Sequence, residues 1–415
     1  MMEEWKKYKL GEICTKIGSG ATPKGGKEAY LGGATSLIRS QNVLDFAFSW
    51  EGLAYINDEQ ATKLNGVEVK KNDVLLNITG DSVARVCIVP DSALPARVNQ
   101  HVSIVRGNKS KVLNEYILYF LQFKKQHLLS LAQGGATRNA LTKGMIEDFT
   151  IPLPQLEEQD RIVSILSSLD SKIEINRRIN VNLEQQAQAL FKSWFVDFEP
   201  FKDGEFVESE LGRIPKGWRV GTLDELCSFI SRGLTPKYDE TSEELILGQT
   251  CVRNNIVTLN NARKHRPKTK NDKWVQQWDV LLNSTGIGSL GRVGIVYFNM
   301  DNVAIDSHIT VVRTSCPLYR HYVGRNLLSR QLEIENMAVG STGQTELPRD
   351  RVKAMPIVIP SHEAMDKFNA IIEPTAISMY SNIIESRRLS TLRDTLLPRL
   401  MSGELHVKDI ERSAI

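Results

Sequence analysis

The fold is decided by a long heptad-patterned run at residues 156–198, which reads LEEQDRIVSILSSLDSKIEINRRINVNLEQQAQALFKSWFVDF. Steps of alternating fours and threes from Ile162 give a seam that is apolar except at Asn176 and Asn180. A helix of this length cannot bury such a seam alone, so the pattern predicts a rod that packs on a partner helix. The other seam positions are Leu166, Leu169, Ile173, Leu183, Ala187, Leu190 and Trp194.

A second copy of this run at residues 361–405 supplies the partner. The simplest interpretation is that the two copies pack as an antiparallel coiled coil with pseudo-twofold symmetry. The alternative is two independent amphipathic core helices. Because Pro374 interrupts the second copy, we expect each rod to be a short helix, a kink or break, and then a longer helix. An offset of 206 places its seam at Phe368, Ile372, Thr375, Met379, Asn382, Ser386, Leu389, Arg393, Leu396 and Leu400.

The region before each rod is also duplicated. Residues 22–24 and 235–237 both read Thr-Pro-Lys, and residues 73–80 (DVLLNITG) match residues 279–286 (DVLLNSTG). Offsets between 205 and 213 indicate duplication of one globular unit plus one rod. We therefore divide the chain into a globular unit at 1–154, a helical spacer at 155–198, a linker at 199–217, a second unit at 218–360, a second spacer at 361–405 and a tail at 406–415.

Each globular unit mixes short β-branched runs with helical patches, which predicts an α+β fold around a twisted, mostly antiparallel sheet. Helices are predicted at 113–131 and 318–338, with a short helix between Leu10 and Ile17. Gly403 is predicted to end the second rod. Strands are predicted at 74–78, 85–89, 101–105, 280–282, 293–298 and 309–312.

Composition and charge narrow the class of protein. The chain has 415 residues and a net charge of +3, which is unevenly distributed. Residues 1–152 carry +4 and residues 213–360 carry +6, whereas residues 153–212 carry −6. Basic globular units suit a polyanion, although ordinary variation in surface charge remains the alternative. The absence of a long apolar run argues against a membrane span, and five widely separated cysteines favour a reducing cytosol over a disulfide framework.

Motifs for catalysis or metal binding are weak. Residues 286–291 contain a literal G-x-G-x-x-G, but a strand-like run follows it, so we expect a tight hairpin that presents backbone amides and an arginine. His101 and His308 occupy equivalent positions without a second metal ligand nearby, so a core or hydrogen-bonded histidine and a DNA-facing histidine both stay open. Cys14 and Cys227 are expected to be buried packing residues. We expect no catalytic residue, metal or cofactor in this chain.

Polar loop residues recur at matching places in the two units, which favours two DNA-reading surfaces. For any single residue, a solvated turn is the alternative. In the first unit the candidates are Gly20, Thr22, Lys24, Arg39, Gln41, Asn77, Thr79, Arg85, Gln100, His101 and Arg138. In the second unit they are Arg232, Thr235, Lys237, Gln249, Arg253, Arg266, Asn283, Thr285, Arg292, Ser307, His308 and Gln344.

Several longer motifs carry a family resemblance. They are IPLPQLEEQ at 151–159, LFKSWFVDF at 190–198, ELGRIPKGW at 210–218 and LLPRLMSGEL at 396–405. With them, the chain resembles the specificity subunit of a type I restriction-modification system over nearly its whole length. The resemblance implies that each globular unit is a target recognition domain for one half of a bipartite double-stranded DNA target. It implies that the rods set the spacing between the two half-sites.

The resemblance also implies partners and location. Two modification subunits would carry S-adenosylmethionine and methylate adenine at N6, restriction subunits would join for cleavage, and the complex would be cytoplasmic. Residues 361–365 (SHEAM) depart from residues 155–159 (QLEEQ), so the two modification-subunit contacts need not be equivalent. The competing hypotheses are a duplicated coiled-coil scaffold that binds only proteins, and a free-standing DNA methyltransferase.

Within this framework we assign base reading to the side chains best suited to paired hydrogen bonds. Lys24 and Lys237 are assigned to phosphates. Arg39, Gln41, Asn77, Arg85, Gln100 and Arg138 would read one half-site. Gln249, Arg253, Asn283, Arg292, Ser307, His308 and Gln344 would read the other.

Overall fold

The chain separates into two compact units in a computed structural model that describes residues 5–23, 30, 32–133, 139–266, 274–299, 302–340 and 345–407. The first unit comprises Met1–Ile173 with Arg388–Ile415, and the second comprises Glu174–Arg387. Each unit contains an α+β part, which we call its head, and segments of two long helices. The first head ends at Leu153, and the second head extends from Glu199 to Ile359.

The first head is built on two four-stranded sheets. Its strands are β1 (Lys6–Lys9), β2 (Cys14–Ser19), β3 (Thr35–Ile38), β4 (Ala54–Ile56), β5 (Glu68–Val69), β6 (Val74–Asn77), β7 (Val86–Ile88), β8 (Ala96–Val98), β9 (Val102–Gly107) and β10 (Thr150–Leu153). Its helices are α1 (Leu10–Ile13), α2 (Asp58–Lys63), α3 (Asn114–Phe123), α4 (Lys125–Gln133) and α5 (Lys143–Glu147). They are followed by the long helix α6 (Leu156–Phe195).

The order of the main sheet is β2-β9-β6-β7, and all its pairs are antiparallel. The second sheet has the order β4-β3-β8-β5 and contains one parallel pair, β3–β8. Strand β6 is buried on both faces, as its unbroken apolar sequence suggests. Val74 and Leu76 point into the apolar cluster shared with the long helices, and Leu75 points into the cluster between the sheets.

The second head repeats this plan with additions. Its strands are β11 (Phe206–Ser209), β12 (Gly212–Pro215), β13 (Arg219–Thr222), β14 (Cys227–Arg232), β15 (Leu245–Leu247), β16 (Val252–Arg253), β17 (Asn255–Val257), β18 (Arg263–Lys264), β19 (Val280–Asn283), β20 (Val293–Ile295), β21 (Val303–Ile305), β22 (Ile309–Thr314) and β23 (Pro356–Ile359). Its helices are α7 (Leu223–Leu226), α8 (Arg320–Ser329), α9 (Gln331–Asn336) and α10 (Arg349–Lys353). They are followed by the second long helix, α11 (His362–Met401).

The main sheet of the second head has the order β14-β22-β19-β20-β17-β16, in which the first four strands match the main sheet of the first head. Strand β17 is parallel to β20, and the second parallel pair is β15–β21, the counterpart of β3–β8. The predicted α+β class with mostly antiparallel sheets is therefore confirmed in both heads.

The short helix expected between Leu10 and Ile17 is confirmed as Leu10–Ile13, after which β2 begins. Two other local predictions need correction. The helices expected at 113–131 and 318–338 are each divided in two, at Lys124 and Arg330. The expected polar linker at 199–217 contains the antiparallel hairpin β11–β12, because Ile214 is buried in the apolar cluster of the second unit and fixes the hairpin there.

The long helices are continuous, contrary to the predicted kink or break in each rod. Helix α11 runs unbroken through Pro374. The proline costs one backbone hydrogen bond to the carbonyl of Ala370. Burial of Phe368, Ile372 and Ala376 on one face holds the helix on both sides of this site. The predicted end of the second rod is confirmed, because α11 stops at Met401 and Gly403 adopts φ +76°.

The long helices run antiparallel within each unit. In the first unit Arg393 donates to Asp170 at 2.7 Å, and His406 lies 4.0 Å from Glu158. In the second unit Trp194 packs on Phe368 with ring centroids 5.9 Å apart. All the predicted seam positions are buried or half-buried: Ile162, Leu166, Leu169, Ile173, Asn176, Asn180, Leu183, Ala187, Leu190, Trp194, Phe368, Ile372, Thr375, Met379, Asn382, Ser386, Leu389, Arg393, Leu396 and Leu400.

The polar positions of the seam meet one another in the second unit. Asn382 donates to Asn180 Oδ1 at 2.8 Å, and Asn180 donates to the carbonyl of Met379 at 3.1 Å. Asn176 is buried and donates to Glu385 at 2.7 Å. A polar pair inside an apolar seam specifies which residues face each other, because any shift leaves an amide buried without a partner.

The five cysteines are free thiols. Cys14 and Cys227 are half-buried, and burial raises the pKa of each to about 12. Over the described residues, no helix is both long enough and apolar enough to span a bilayer.

Candidate nucleic-acid interface

Matching polar clusters form where β6 and β19 end. In the first head Thr79 Oγ1 lies 2.6 Å from His101 Nδ1, and in the second head Thr285 Oγ1 lies 2.9 Å from His308 Nδ1. The backbone amide of His101 donates to Asn99 Oδ1 at 3.0 Å, and that of His308 donates to Asp306 Oδ1 at 2.9 Å. We call this surface the reading edge of each head: the loops after β6 and β19 together with the histidine loops that face them.

A chain of hydrogen bonds extends the reading edge of the first head. The Thr22 hydroxyl donates to Gln100 Oε1, and Gln100 Nε2 lies 3.1 Å from His101 Nε2. Because Gln100 donates to Nε2, the ring proton of a neutral His101 is on Nδ1 and faces Thr79. The predicted residues Thr22, Thr79, Gln100 and His101 are therefore brought together. In the second head Ser307 Oγ donates to Asp306 Oδ1 at 3.3 Å beside His308.

Asn77 and Asn283 were predicted to read bases, and the structure makes them positioning residues instead. Both are fully buried. Asn77 Nδ2 donates to the carbonyl of Ser40 at 2.9 Å, and Asn283 Nδ2 donates to the carbonyl of Gln249 at 3.1 Å. A side chain with no exposed surface cannot reach a base edge while these loops stay closed. Each asparagine instead fixes the loop that carries the glutamine.

The predicted glutamines differ between the heads. Gln41 is exposed, and its Nε2 donates to the carbonyl of Gly52 at 3.1 Å. Arg39 donates to the same carbonyl at 2.5 Å and stacks over Tyr30, with 5.5 Å from its guanidinium carbon to the ring centroid. Gln249 is half-buried and donates to the backbone carbonyl of Thr285 and, at 3.0 Å, to its Oγ1. The first glutamine is thus presented outward, and the second supports the reading edge.

The other predicted residues differ in their exposure and in whether the protein already binds their side chains. Arg85 is half-buried, and Arg253, Thr235 and Lys237 are exposed. Three further arginines bind the protein itself, since Arg292 donates to the carbonyl of Gly288 at 2.7 Å, Arg232 pairs with Glu346 at 2.9 Å, and Arg266 lies 3.9 Å from Asp239.

Gly20 has a steric role rather than a polar one. A Cβ at Gly20 would lie 1.7 Å from the carbonyl oxygen of Val98, and its amide donates to the carbonyl of Asn99 at 3.0 Å. Gly233, its counterpart, approaches the carbonyl of Ile305 in the same way. The predicted residues Lys24, Arg138 and Gln344 lie outside the described residues.

The glycine-rich segment at 286–291 forms the predicted hairpin. Gly286, Gly288 and Gly291 have φ values of +94°, +71° and +81°, and the chain turns from β19 directly into the antiparallel strand β20. A dinucleotide fingerprint would open a helix at this point. The local geometry is that of a β-hairpin.

Two buried ion pairs were not predicted from the sequence. They hold the strands that lead to the two reading edges. Arg106 binds Asp73 with two hydrogen bonds of 2.6 Å, and Arg313 binds Asp279 with bonds of 2.7 and 2.8 Å. Each pair joins the start of the strand that leads to the reading edge to the neighbouring strand, β9 or β22. The available signal was the recurrence of both residues at matching positions in the two copies.

The chain is similar in sequence to known DNA specificity subunits. Residues 2–185 match the family model described as the type I restriction modification DNA specificity domain. The chain is 27% identical to the type I restriction enzyme MjaIX specificity subunit of Methanocaldococcus jannaschii, an alignment that covers 98% of this chain and 95% of that protein. It is 24% identical to the HindI specificity subunit of Haemophilus influenzae, with coverages of 97% and 100%.

A solved structure supports the fold over the same length. The crystal structure of a type I restriction-modification S subunit from M. genitalium aligns with a TM-score of 0.56 and 15% identity. The alignment covers 96% of this chain and 97% of that chain.

Proposed function

We propose that this chain is a member of the family of type I restriction-modification specificity subunits and that it reads a bipartite double-stranded DNA target with its two heads. Each head would act as a target recognition domain for one half-site. The observation that carries the proposal is the reading edge itself, built twice from matching Thr–His pairs, asparagine-fixed loops and buried Asp–Arg pairs.

Charge and side-chain chemistry support DNA as the ligand. The regions that contain the heads carry the positive net charge of the chain, and the region that contains most of α6 is acidic. Arg85, Gln41 and Arg253 offer exposed or half-buried donors of the kind that make base-edge hydrogen bonds. Lys237 is an exposed cation suited to a phosphate.

The long helices offer surfaces for partner subunits. On α6 the apolar residues Ile175, Ile179 and Val181 are exposed, and on α11 Ile371 and Ile377 are exposed. Exposed aliphatic side chains on the solvent-facing side of a helix are suited to a protein interface. We assign these surfaces to two modification subunits that would carry S-adenosylmethionine and perform the methylation, so this chain would itself be non-catalytic. Restriction subunits would join in the cytoplasm.

The two modification-subunit contacts are proposed to differ, because the helix starts differ. Gln159 is buried, accepts from the amide of Leu113 at 3.0 Å, and donates to the carbonyls of Lys111 and Pro154 at 3.0 and 2.9 Å. Its counterpart at an offset of 206 is Met365, which is buried in the apolar cluster of the second unit. The first turn of each long helix is therefore held by different interactions.

The test is a genome-wide map of N6-methyladenine after co-expression of the chain with its modification subunit. We expect a bipartite motif in the wild type. Arg85→Ala should relax one base pair of one half-site, at a cost of about 1–3 kcal/mol in discrimination, whereas Arg292→Ala should act on the other half-site. Lys237→Ala should weaken all sequences alike and flatten the salt dependence of binding.

Lys63→Ala is the matched control, because Lys63 is an exposed cation on α2, outside the loops that form the reading edge, and pairs with Glu59. An unchanged motif and efficiency for Arg85→Ala would reject the assignment of that residue. A complex that assembles but yields neither methylation nor salt-dependent DNA binding would favour the protein-interaction scaffold.

A further inference from the structure

An apolar side chain stands at the tip of the hairpin on the reading edge of the second head. Ile287 is 87% exposed, the highest value among the large apolar residues described as exposed. It lies between Gly286 and Gly288, whose positive φ values shape the turn. Isolated exposed apolar residues are common in proteins, so the exposure alone assigns no role.

Hydrogen bonds and close packing define the backbone of this turn. Leu290 donates its amide to the carbonyl of Gly286 at 3.0 Å, and Arg292 donates to the carbonyl of Gly288 at 2.7 Å. A Cβ at Gly286 would lie 2.7 Å from Ser289 Oγ and 2.8 Å from Gln249 Nε2, so the turn packs closely on the glutamine loop. A rigid turn lowers the entropic cost of bringing the tip into contact with a ligand.

The first head carries a different residue at the same tip. At an offset of 206, Ile287 corresponds to Asp81, which is exposed and follows Gly80 at φ +72°. The Gly80 amide donates to the carbonyl of Asn139 at 3.1 Å, and the neighbouring Thr79 contacts His101 as Thr285 contacts His308. The Thr–His contact and the positive-φ glycine before the tip are therefore shared, and the exposed side chain changes from acidic to aliphatic.

We propose that the tip residues Asp81 and Ile287 determine specificity, each for one base pair of its own half-site. An aliphatic side chain in the major groove recognises the C5-methyl group of thymine, and a carboxylate accepts a hydrogen bond from the N4 amino group of cytosine. Ile287 therefore reads a thymine and Asp81 reads a cytosine. This inference rests on the proposed function, because both residues project from the reading edges.

The first test uses the wild-type chain in complex with its modification subunits, so that no variant needs to fold. Duplexes carrying the mapped motif are made with each thymine of the second half-site replaced in turn by uracil, which lacks the methyl group. We expect one replacement to weaken binding about fourfold, the effect of one buried methyl-sized group. The other replacements should have little effect.

The second test asks whether Ile287 is the residue that senses this methyl group. In a complex containing Ile287→Ala, the fourfold difference between thymine and uracil should disappear. In Leu332→Ala it should persist, because Leu332 is a 72% exposed apolar residue of α9 outside the hairpin. Asp81→Ala should likewise relax one C·G pair in the methylation map of the first half-site.

The outcomes separate the two proposals. A wild-type complex that methylates no motif counts against the proposed function. A wild-type motif with no uracil effect, or with one that Ile287→Ala leaves intact, overturns the tip assignment alone. A first half-site that lacks cytosine, or that Asp81→Ala leaves unchanged, overturns the assignment of Asp81.

Discussion

The two heads share their buried framework and differ in what surrounds it. Both have the same four-strand order, the same buried Asp–Arg pair and the same Thr–His contact. The second head adds the hairpin β16–β17 to its main sheet and the hairpin β11–β12 beside the end of α6. The shared framework therefore keeps the reading edge in place, while the loops on it can change separately.

The attachment of each head to the long helices shows the same principle with different chemistry. In the first unit Tyr119 of α3 donates to Asp170 of α6 at 2.7 Å. In the second unit the corresponding position on α8 is Arg325, which is buried and pairs with Glu184 of α6 at 2.5 Å. One position thus joins head and helix in both units, through a phenol–carboxylate hydrogen bond in one and a buried ion pair in the other.

The largest loss of stability is expected from breaking the buried Asp–Arg pairs, which tests whether the shared framework is equally important in both heads. Asp73→Ala and Asp279→Ala each leave a largely buried arginine without its carboxylate, which should cost about 3–5 kcal/mol. We expect the loss to be confined to the head that carries the substitution. Amide hydrogen exchange, read separately on peptides from β9 and β22, measures it.

Asp91→Ala is the control for the aspartate pair, because Asp91 makes an exposed ion pair with Lys71. If Asp73→Ala destabilises its head strongly and Asp279→Ala does not, the two frameworks are not equivalent.

The next largest effect is expected from a substitution at the first turn of α6, where the two units differ. Gln159→Met installs the residue that the second copy has at 365, but it removes the partner of the Leu113 amide and of two carbonyls. We expect a loss of roughly 3 kcal/mol in the first unit, measured by hydrogen exchange of α3. A neutral substitution would mean that the first head can adopt the packing of the second.

The third effect is a pH dependence that belongs to the second head. Burial lowers the pKa of His321 to about 4, and Arg320 and Arg325 add to this against the opposing effect of Glu373. The folded pKa lies below the usual 6.5, so the unfolded chain binds more protons and stability falls as the pH drops from 6.5 towards 4. Between pH 7 and pH 5 the loss should be about 2 kcal/mol.

Hydrogen exchange of α8 at the two pH values measures this loss. His321→Gln should remove most of the difference, whereas His362→Gln, an exposed position on α11, should preserve it. The first head has Glu115 at the corresponding position. An equal pH dependence in His321→Gln would assign the effect to another group.

The smallest effect concerns the polar pair in the helix seam of the second unit. Asn180→Leu alone leaves Asn382 without its acceptor and should cost about 1 kcal/mol. The double variant Asn180→Leu with Asn382→Leu should be within about 1 kcal/mol of the wild type, because both partners become apolar. Thermal unfolding of the three variants measures the coupling, and additive losses would contradict it.

The sequence predicted the repeating parts of the fold well. Buried strands such as β6 and β19 are continuous apolar runs, and the heptad seam identifies both long helices. The break expected at Pro374 does not occur, because propensity at one residue is weaker than burial along the whole face. The hairpin β11–β12 escaped prediction because its sequence is polar and only the packing of Ile214 and Phe206 reveals it.

The candidate site was predictable in its residue types and not in its side-chain directions. The copies indicated which polar residues recur, but whether Asn77 faces inward and Gln41 outward depends on the loop after β3, where short 3-10 turns hide any periodicity. For the same reason Ile287 and Asp81 were not among the residues predicted from the sequence to bind DNA. A turn residue is identified as a contact point only when its exposure and its neighbours are known.

The division of the first unit between two distant stretches of chain has a consequence for synthesis. Leu397, Leu400 and Met401 belong to the same apolar cluster as Leu10 and Ile162, yet the 214 residues of Glu174–Arg387 are made in between. At about 5–20 residues per second, the ribosome needs roughly 10–40 s to add them. The second unit can fold as one uninterrupted segment, while the first waits with part of its core uncovered. The half of the protein that is begun first is therefore completed last, and it is the half most exposed to aggregation and chaperone capture during synthesis.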